Sequence, residues 1–168
     1  CASARRKMQF QQLYPEAVIQ PVRGNVLTRL EKLDSGEYGA LILAEAGLKR
    51  LGLSDRIAYR FSPEELVPAA GQGILAIQTR AGEYADLLAR LNSPDGAFCA
   101  KTERQLASLL GGDCSAPVGC HAQLHGTDMT LYGFSGIGGV PRYGSVQGNR
   151  NDADLLVQQL ASKLTITE

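Results

Sequence analysis

The sequence predicts an α/β unit built on a mostly parallel sheet, followed by a small α+β unit with an antiparallel sheet. Two observations support this division. Helical and strand-like patterns alternate over residues 1–60, which is typical of α/β units with parallel strands. Residues 117–136 instead alternate apolar and polar side chains around a glycine-containing bend, which is typical of a β-hairpin. A stretch with Pro68, Gly71 and Gly73 separates the two patterns and indicates a crossover.

The first unit is predicted to contain, in order, a helix, a strand, a helix, a strand and a helix: residues 3–15, 17–24, 24–38, 39–47 and 48–53. Ser3 caps the first helix, and Pro15 ends it. Val26, Leu30 and Leu33 form the apolar stripe of the second helix. The fourth segment, "GALILAEAG", is a continuous apolar run, which indicates a buried parallel strand or a strand that leads into a helix.

The rest of the chain is predicted to contain a strand, two helices, a hairpin and a last helix: residues 74–80, 83–92, 95–112, 117–136 and 152–164. The inward face of the longer helix is predicted to hold Phe98, Thr102, Leu106 and Leu109. The hairpin is predicted to bend at residues 126–128, where Gly126 allows a tight turn. Asn151 or Asp152 is predicted to cap the last helix.

The charge distribution makes the first unit a candidate for binding an anionic small molecule. The formal net charge is zero, which gives no global indication of nucleic-acid binding. Residues 1–60 carry ten basic and six acidic side chains, whereas the remaining residues carry seven and eleven. Twelve of the seventeen basic residues are arginines, whose planar guanidinium suits bidentate binding of carboxylate or phosphate. A solvated basic face is the alternative.

Several arginines lie at predicted helix starts or strand ends, where anions bind in open α/β sheets: Arg5, Arg6, Arg23, Arg29 and Arg50. A group of this size suits a ligand with several carboxylates, because each carboxylate can accept two hydrogen bonds from one guanidinium. For Arg29 and Arg50 the alternative is a surface position with an ion pair to Glu31 or Glu45.

Two further motifs do not predict a site. The glycine pair of "AAGQG", residues 69–73, resembles a phosphate-binding loop only weakly, because a third glycine is missing and a strand-like segment follows. The spacing of Cys114, Cys120, His121 and His125 is not that of zinc sites, and neighbouring strand residues point to opposite faces. No metal site is therefore predicted, and Cys99 and Cys120 are expected to be small core residues.

One cysteine lies in a different setting from the others. Cys114 belongs to "LLGGDCSAPVG", residues 109–119, where two glycines end a helix and Pro117 follows. The turn is predicted to expose the thiol to a cleft between the two units, and nearby arginines would stabilise the thiolate. No histidine in a recognisable base role precedes it, so the pattern favours attachment of a group over hydrolytic catalysis. A purely structural turn is the alternative.

Six motifs together resemble one family, the porphobilinogen deaminases, also called hydroxymethylbilane synthases. In chain order they are "SARRKMQF", "VRGNVLTRLEKLDSGEYGALILAEAGLKRLGL", "LVPAAGQGILAIQTR", "LLARLN", "KTERQLASLLGGDCSAPVG" and "LYGFSG". The resemblance covers nearly the whole chain. The resemblance implies a transferase of tetrapyrrole and haem biosynthesis, which condenses four porphobilinogen molecules stepwise to hydroxymethylbilane and releases ammonia at each step.

The resemblance also implies roles for the candidate residues. Cys114 would carry a dipyrromethane cofactor through a thioether, and the product chain would grow on that cofactor. The residues implied to contact the cofactor are Ser3, Arg5 and Arg6. The residues implied to bind the acetate and propionate groups of porphobilinogen are Arg23, Arg29 and Arg50. No metal is implied.

The family fold implied by the resemblance has three domains, of which the first two resemble the lobes of periplasmic binding proteins. Residues 1–67 would form most of the second domain, residues 68–86 the segment that returns to the first, and residues 87–168 the cofactor-carrying α+β domain. The "HSLKDLP"-like motif with the family's catalytic aspartate is not found, so the first domain is expected to be missing. The chain is therefore expected to hold no catalytic residue and to be inactive alone. Asp113 also departs from the family's usual Gly-Gly-Cys turn.

Three hypotheses on function remain open: part of a deaminase, a non-catalytic module that binds polycarboxylates or pyrroles, and an inactive fragment. The expected partners are porphobilinogen, the growing polypyrrole and the missing N-terminal domain, with no nucleic acid and no membrane; the family is usually monomeric. No apolar run approaches the roughly 20 residues that span a bilayer. The four cysteines form no CxxC pair, so the expected location is the cytoplasm, with the plastid stroma as an alternative.

Overall fold

In the described part of the chain, three of the helices begin next to a capping side chain. The computed structural model describes residues 1–113 and 115–165. Its helices are α1 (Ala4–Leu13), α2 (Val26–Asp34), α3 (Glu45–Arg50), α4 (Ala85–Leu91), α5 (Pro94–Leu109) and α6 (Ala153–Leu164). Ser3, Asn25 and Ser93 cap α1, α2 and α5, each through a side-chain oxygen that accepts a hydrogen bond from a first-turn N–H. The helices predicted at residues 3–15, 24–38, 83–92, 95–112 and 152–164 are confirmed, as is the cap at Ser3. The helix predicted at residues 48–53 begins earlier, at Glu45, and ends at Arg50.

The strands form one antiparallel sheet in the C-terminal part of the chain. They are β1 (Val118–His125), β2 (Asp128–Ser135) and β3 (Arg142–Asn149), in the spatial order β1-β2-β3. The two-residue connection between β1 and β2 leaves Gly126 in the left-handed region, at φ 65°, as the tight turn requires. The predicted hairpin and the antiparallel α+β unit are confirmed.

Helices α5 and α6 cover one face of this sheet and enclose the main core. Its fully buried members include Leu106 from α5, Leu131 from β2 and Leu160 from α6. The helix α6 lies so close to β2 that a Cβ on Gly133 would overlap the Leu164 Cδ1 methyl. The buried residues of this core all lie within residues 106–164, and Ala70 packs against them from outside that range.

The parallel sheet expected for the first unit is not confirmed. Among the residues that the structure describes, segments 17–24 and 74–80 are not strands. Segment 39–47 contains no strand either, and its last three residues belong to α3, which begins at Glu45. A parallel strand needs a neighbour that lies far away in sequence, and these segments have no ladder partner in the described part of the chain. Val18 and Leu75 accordingly remain 86% and 71% exposed.

Three smaller predictions need correction. The structure adds β3, whose glycines and polar residues gave no alternating apolar pattern in the sequence. Leu109 is 44% exposed, and Leu110 occupies the buried position at the end of α5 instead. Asp152 is the residue before α6, but its side chain accepts no capping hydrogen bond from the described part of that helix.

One short stretch, the connecting segment (residues 67–72), links the two parts of the molecule. The Gln9 side chain from α1 binds both backbone groups of Val67: the Val67 N–H donates to Gln9 Oε1 at 2.7 Å, and Gln9 Nε2 donates to the Val67 carbonyl at 3.0 Å. On the other side, the Cys120 N–H of β1 donates to the Pro68 carbonyl at 2.8 Å. The connecting segment therefore holds the start of α1 against the C-terminal unit.

None of the helices within the described residues is both long and apolar enough to cross a membrane.

Candidate functional site

A cleft of about 680 Å³ lies where α1, the connecting segment and the turn between α5 and β1 meet. Ser3 and Arg5 line it from the start of α1, and Ala70 lines it from the connecting segment. Asp113 and Ser115, the two chain neighbours of Cys114, line it from the turn. The cleft therefore brings two predicted cofactor contacts next to the chain neighbours of the predicted attachment point. Cys114 itself lies outside the described residues.

The turn that contains Cys114 is anchored at its start by the end of α5. The Gly112 N–H donates to the Ala107 carbonyl at 2.8 Å, after Gly111 has entered the left-handed region at φ 69°. A Cβ on Gly112 would come within 2.9 Å of the Ala107 carbonyl oxygen, so the close approach requires glycine at this position. The two glycines therefore end the helix and turn the chain sharply towards the cleft.

Asp113 organises the next part of the turn. Its Oδ1 accepts hydrogen bonds from the Ser115 N–H and the Ser115 hydroxyl, both at 2.7 Å, and from the Ala116 N–H at 2.8 Å. These hydrogen bonds lower the pKa of the Asp113 carboxyl, with the Ser115 hydroxyl as the largest cause. The carboxylate fixes the backbone of residues 115 and 116.

Arg5 and Arg6 share one acceptor at the base of α1. Arg5, which is only 5% exposed, donates from Nη1 to the Val67 carbonyl and from Nη2 to Gln72 Oε1 at 3.4 Å. Arg6 is half-buried and donates to the same Gln72 oxygen at 3.3 Å and to the Ile42 carbonyl at 3.1 Å. All these acceptors are neutral. Neither arginine forms an ion pair with a carboxylate among the described residues.

The electrostatics of this pair favour an anion. Burial, and after it the nearby charge of Arg6, lower the pKa of Arg5 to about 10. Burial and the charge of Arg29 likewise lower the pKa of Arg6. Arg5 still carries its charge at neutral pH, with much of its hydration removed and only neutral partners in place. A bound carboxylate would relieve both the desolvation and the mutual repulsion.

The other predicted arginines are not brought together in one place. Arg29 is half-buried, donates from Nε to the Gly24 carbonyl at 2.8 Å, and is near enough to Arg6 to affect its pKa. Arg23 and Arg50 are exposed and do not line the cleft. The alternative pairing of Arg50 with Glu45 is not seen in the described residues, because Glu45 pairs with Lys49 and Arg60.

The two cysteines expected in the core have thiols that stay protonated. Cys120 is fully buried, and burial followed by the nearby charge of Glu103 raises its pKa to about 12. Burial also raises the pKa of the Cys99 thiol, which lies against the core. Both are therefore poor nucleophiles. No group of three or more His, Cys, Asp or Glu residues within the described ranges is arranged to hold a metal ion.

The sequence patterns assign no role to two polar residues of this region. Gln72 is exposed and belongs to "AAGQG", which resembles a phosphate-binding loop only weakly. Glu103 belongs to α5 and was assigned no role, although it is only 3% exposed. A charged residue three positions before the buried Leu106 was a usable signal, because it shares the inward face of the helix.

Family models match both parts of the chain. Residues 1–87 match the model described as "Porphobilinogen deaminase, dipyromethane cofactor binding domain", and residues 97–165 match "Porphobilinogen deaminase, C-terminal domain". The chain belongs to the porphobilinogen deaminase family. The resemblance found in the sequence motifs is thereby confirmed, and family membership places the chain in tetrapyrrole biosynthesis.

Curated relatives agree with the family models. The chain is 43% identical to the porphobilinogen deaminase of Acetivibrio thermocellus, over 98% of this chain and 56% of the relative. It is 44% identical to that of Thiobacillus denitrificans, over 97% of this chain and 55% of the relative. It is 46% identical to that of Chromobacterium violaceum, over 97% of this chain and 54% of the relative. The chain spans about half the length of the curated relatives it matches.

Proposed function

We propose that the chain carries the cofactor and most of the carboxylate-binding arginines of a hydroxymethylbilane synthase. The reaction is the stepwise condensation of four porphobilinogen molecules to hydroxymethylbilane, with release of ammonia. The observation that carries the proposal is the cleft in which Arg5 and Ser3 face the two chain neighbours of Cys114. The name of the matching family model, which describes a cofactor-binding domain, supports it.

The residues of the cleft fit a dipyrromethane cofactor held by Cys114 through a thioether. Six of its twelve described lining residues are alanines, including Ala69, Ala70 and Ala107, and their small side chains leave room for flat pyrrole rings. Arg5 and Arg6 supply buried positive charge without a carboxylate partner in the described residues, which suits the acidic side chains of the rings. When bound, the cofactor supplies the primer to which each new ring is added.

The protein residues divide into those that hold the cofactor and those that bind arriving substrate. Ser3, Arg5 and Arg6 are proposed to contact the cofactor, because they lie in or beside the cleft. Arg29 adds a further positive charge near Arg6. Arg23 and Arg50 are proposed to bind carboxylates of later rings, as exposed guanidiniums with no ion pair in the part of the chain that the structure describes.

Proton transfer is proposed to come from a part of the family fold that this sequence does not span. Within the described lining of the cleft, Asp113 is the carboxylate, and its Oδ1 is occupied by the turn. The coverage of about half of the relatives supports a fold completed by another domain. In that fold, residues 1–67 would belong to the second domain, residues 68–86 to the segment returning to the first, and residues 87–168 to the third.

The intact mass of the denatured protein tests the attachment. The full-length protein that contains this chain is purified from cells as wild type, as Cys114→Ser and as the control Cys99→Ser. Wild type and Cys99→Ser are expected to exceed the mass of the polypeptide by one two-ring adduct, and Cys114→Ser is expected to match it. An adduct of unchanged size in Cys114→Ser contradicts the proposed attachment.

A second candidate function is a module that binds polycarboxylates without turnover. The observation that favours it is that the buried arginine pair lies within this chain, whereas the described lining of the cleft supplies no free acid-base group. Release of ammonia from porphobilinogen by the full-length protein separates the two functions. Binding without release of ammonia supports the module, and release at each added ring supports the synthase.

A further inference from the structure

The buried carboxylate of Glu103 has no part in the cleft. It projects from the middle of α5, is 3% exposed, and does not line the cleft. Burial of an ionised carboxylate is costly unless hydrogen bonds compensate for the lost water. Within the described residues, Glu103 has no Arg or Lys partner; its partners are two backbone N–H groups and one imidazole. Hydrogen bonds of this kind connect the segments of backbone whose N–H groups donate them.

Each carboxylate oxygen of Glu103 binds a different segment. Oε2 accepts a hydrogen bond from the Gly71 N–H of the connecting segment at 2.6 Å. Oε1 accepts one from the Ala122 N–H of β1 at 2.9 Å and lies 3.4 Å from His121 Nδ1. The side chain therefore bridges the connecting segment and the C-terminal sheet.

The Glu103 side chain and the connecting segment together bind N–H groups along the β1 edge of the sheet. The N–H groups of Cys120 and Ala122 point to the same edge of β1, because they are two residues apart on a strand. The first donates to the Pro68 carbonyl, and the second donates to Glu103. The Glu103 carboxylate thus accepts the hydrogen bond from Ala122 that a backbone carbonyl of the connecting segment would otherwise accept.

The same bridge links the two sides of the cleft. Gly71 precedes Gln72, whose Oε1 accepts hydrogen bonds from both Arg5 and Arg6. On the other side, the helix that carries Glu103 continues directly into the turn with Cys114. One side chain therefore ties the backbone next to the arginine acceptor to the helix that leads to the attachment point.

We propose that Glu103 is a positioning residue, which sets the distance between the Arg5–Arg6 pair and the turn that contains Cys114. The proposal rests on the proposed function, because it gives that distance a role in binding the rings carried by Cys114. Glu103 touches neither cofactor nor substrate. It acts through Gly71 and Gln72 on the guanidiniums and through α5 on the turn.

The substitution Glu103→Gln tests the bridge with little change in shape. A glutamine keeps one acceptor oxygen but directs an NH₂ group at one of the two backbone N–H donors, so one donor loses its partner. The connecting segment should then move away from α5. Because misplacement of binding groups by about 1 Å is enough to lower rates by up to about 100-fold, we expect kcat/KM for porphobilinogen to fall roughly tenfold, mainly through a higher KM.

The matched control is Thr102→Val, a nearly isosteric change at the neighbouring residue of α5. Thr102 is also 3% exposed, and its hydroxyl donates only within the helix, to the Phe98 carbonyl at 3.0 Å. This variant is expected to lower Tm without changing KM. The measurements, all on the full-length cofactor-loaded protein, are Tm, the mass of the adduct, kcat and KM.

The outcomes separate the two proposals. A wild-type protein that carries no adduct and releases no ammonia overturns the proposed function and the inference with it. A wild-type protein that is active, beside a Glu103→Gln variant whose KM stays within twofold of that of Thr102→Val, overturns the positioning role alone. If Glu103→Gln does not fold, Glu103→Asp replaces it. The aspartate keeps both acceptors but is shorter by one methylene, so a smaller rise in KM supports the role and an unchanged KM overturns it.

Discussion

The two parts of the chain bury their apolar residues in different ways. The main core lies entirely within residues 106–164, where α5, α6 and the sheet contact one another. The preceding part buries only scattered apolar residues, such as Val22, Leu30 and Leu48. Its apolar run at residues 74–77 stays exposed, and the run at residues 41–44 is only half-buried. Hydrophobicity alone therefore does not bury a segment. The segment must also have a neighbouring strand to pair with, and in an antiparallel hairpin the two strands pair with each other.

A pair of leucine substitutions gives the sharpest test of this difference. Leu131→Ala removes a fully buried side chain from β2 and is expected to lower the free energy of unfolding by about 3 kcal/mol. Leu75→Ala removes a side chain that is 71% exposed and is expected to change it by less than about 0.5 kcal/mol. Urea unfolding followed by circular dichroism measures both. Equal losses would show that Leu75 belongs to a packed core.

A pair of glycine substitutions tests the same difference by adding volume. A Cβ on Gly133 would overlap Leu164 Cδ1 and lie within 3.1 Å of Leu160 Cδ2, so Gly133→Ala is expected to cost about 1–3 kcal/mol. Gly39 has no heavy atom within 4 Å of the added Cβ, and Gly39→Ala is expected to be close to neutral. The shift in Tm of each variant is the measurement. A neutral Gly133→Ala would contradict the close packing of α6 on β2.

The helix caps allow a comparison of local and global effects. Ser93 caps α5 by accepting from the Gly96 N–H at 3.2 Å, and Ser93→Ala is expected to cost the C-terminal unit about 1 kcal/mol. Asn25 caps α2 by accepting from the Thr28 N–H at 2.9 Å. Asn25→Ala is expected to reduce helix content with no shift in the unfolding midpoint of the sheet, because α2 lies outside its core. Far-UV circular dichroism and urea midpoints measure the two effects, and a shared shift would show that both parts unfold together.

The smallest expected effect concerns the pH dependence of the turn. The pKa of Asp113 is lowered, so its hydrogen bonds to residues 115 and 116 contribute stability at pH values above the ordinary aspartate pKa. That contribution is lost as the pH falls through the lowered, folded-state pKa. The amide NMR shifts of Ser115 and Ala116 are expected to titrate together, with a midpoint below that of free aspartate. In Asp113→Asn neither shift should follow that titration, and a titration that persists there would assign it to another group.

Local sequence signals predicted the elements that depend on local interactions. Ser3 and Pro15 delimit α1, and the turn at Gly126 lies between two strands that pair with each other. Segments 17–24 and 74–80 have equally good strand patterns, but strand formation depends on a distant neighbour that periodicity cannot supply. The strand β3 is the opposite case. Its sequence has almost no strand pattern, but it forms a strand because it pairs with β2.

The candidate site was predictable to the extent that its chemistry follows from motifs. The resemblance pointed to Ser3 and Arg5, and the structure places both in the cleft next to the neighbours of Cys114. Their functional role remains a proposal. The connecting segment was not predictable, because its position depends on Gln9 and Glu103, which bind backbone groups far away in sequence. Hydrogen bonds between a side chain and a distant backbone group produce no periodic pattern in the sequence.

The sheet has two edges, and they differ in their protection. The edge of β1 is covered by the connecting segment, whereas the outer edge of β3 has no backbone partner among the described residues. An open edge of this kind is a template on which the strands of other molecules aggregate. Gly144 and Gly148 weaken the strand tendency of β3, and Arg142 places a charge at its start. The irregular composition that hid β3 in the sequence thus makes it a poor template for aggregation.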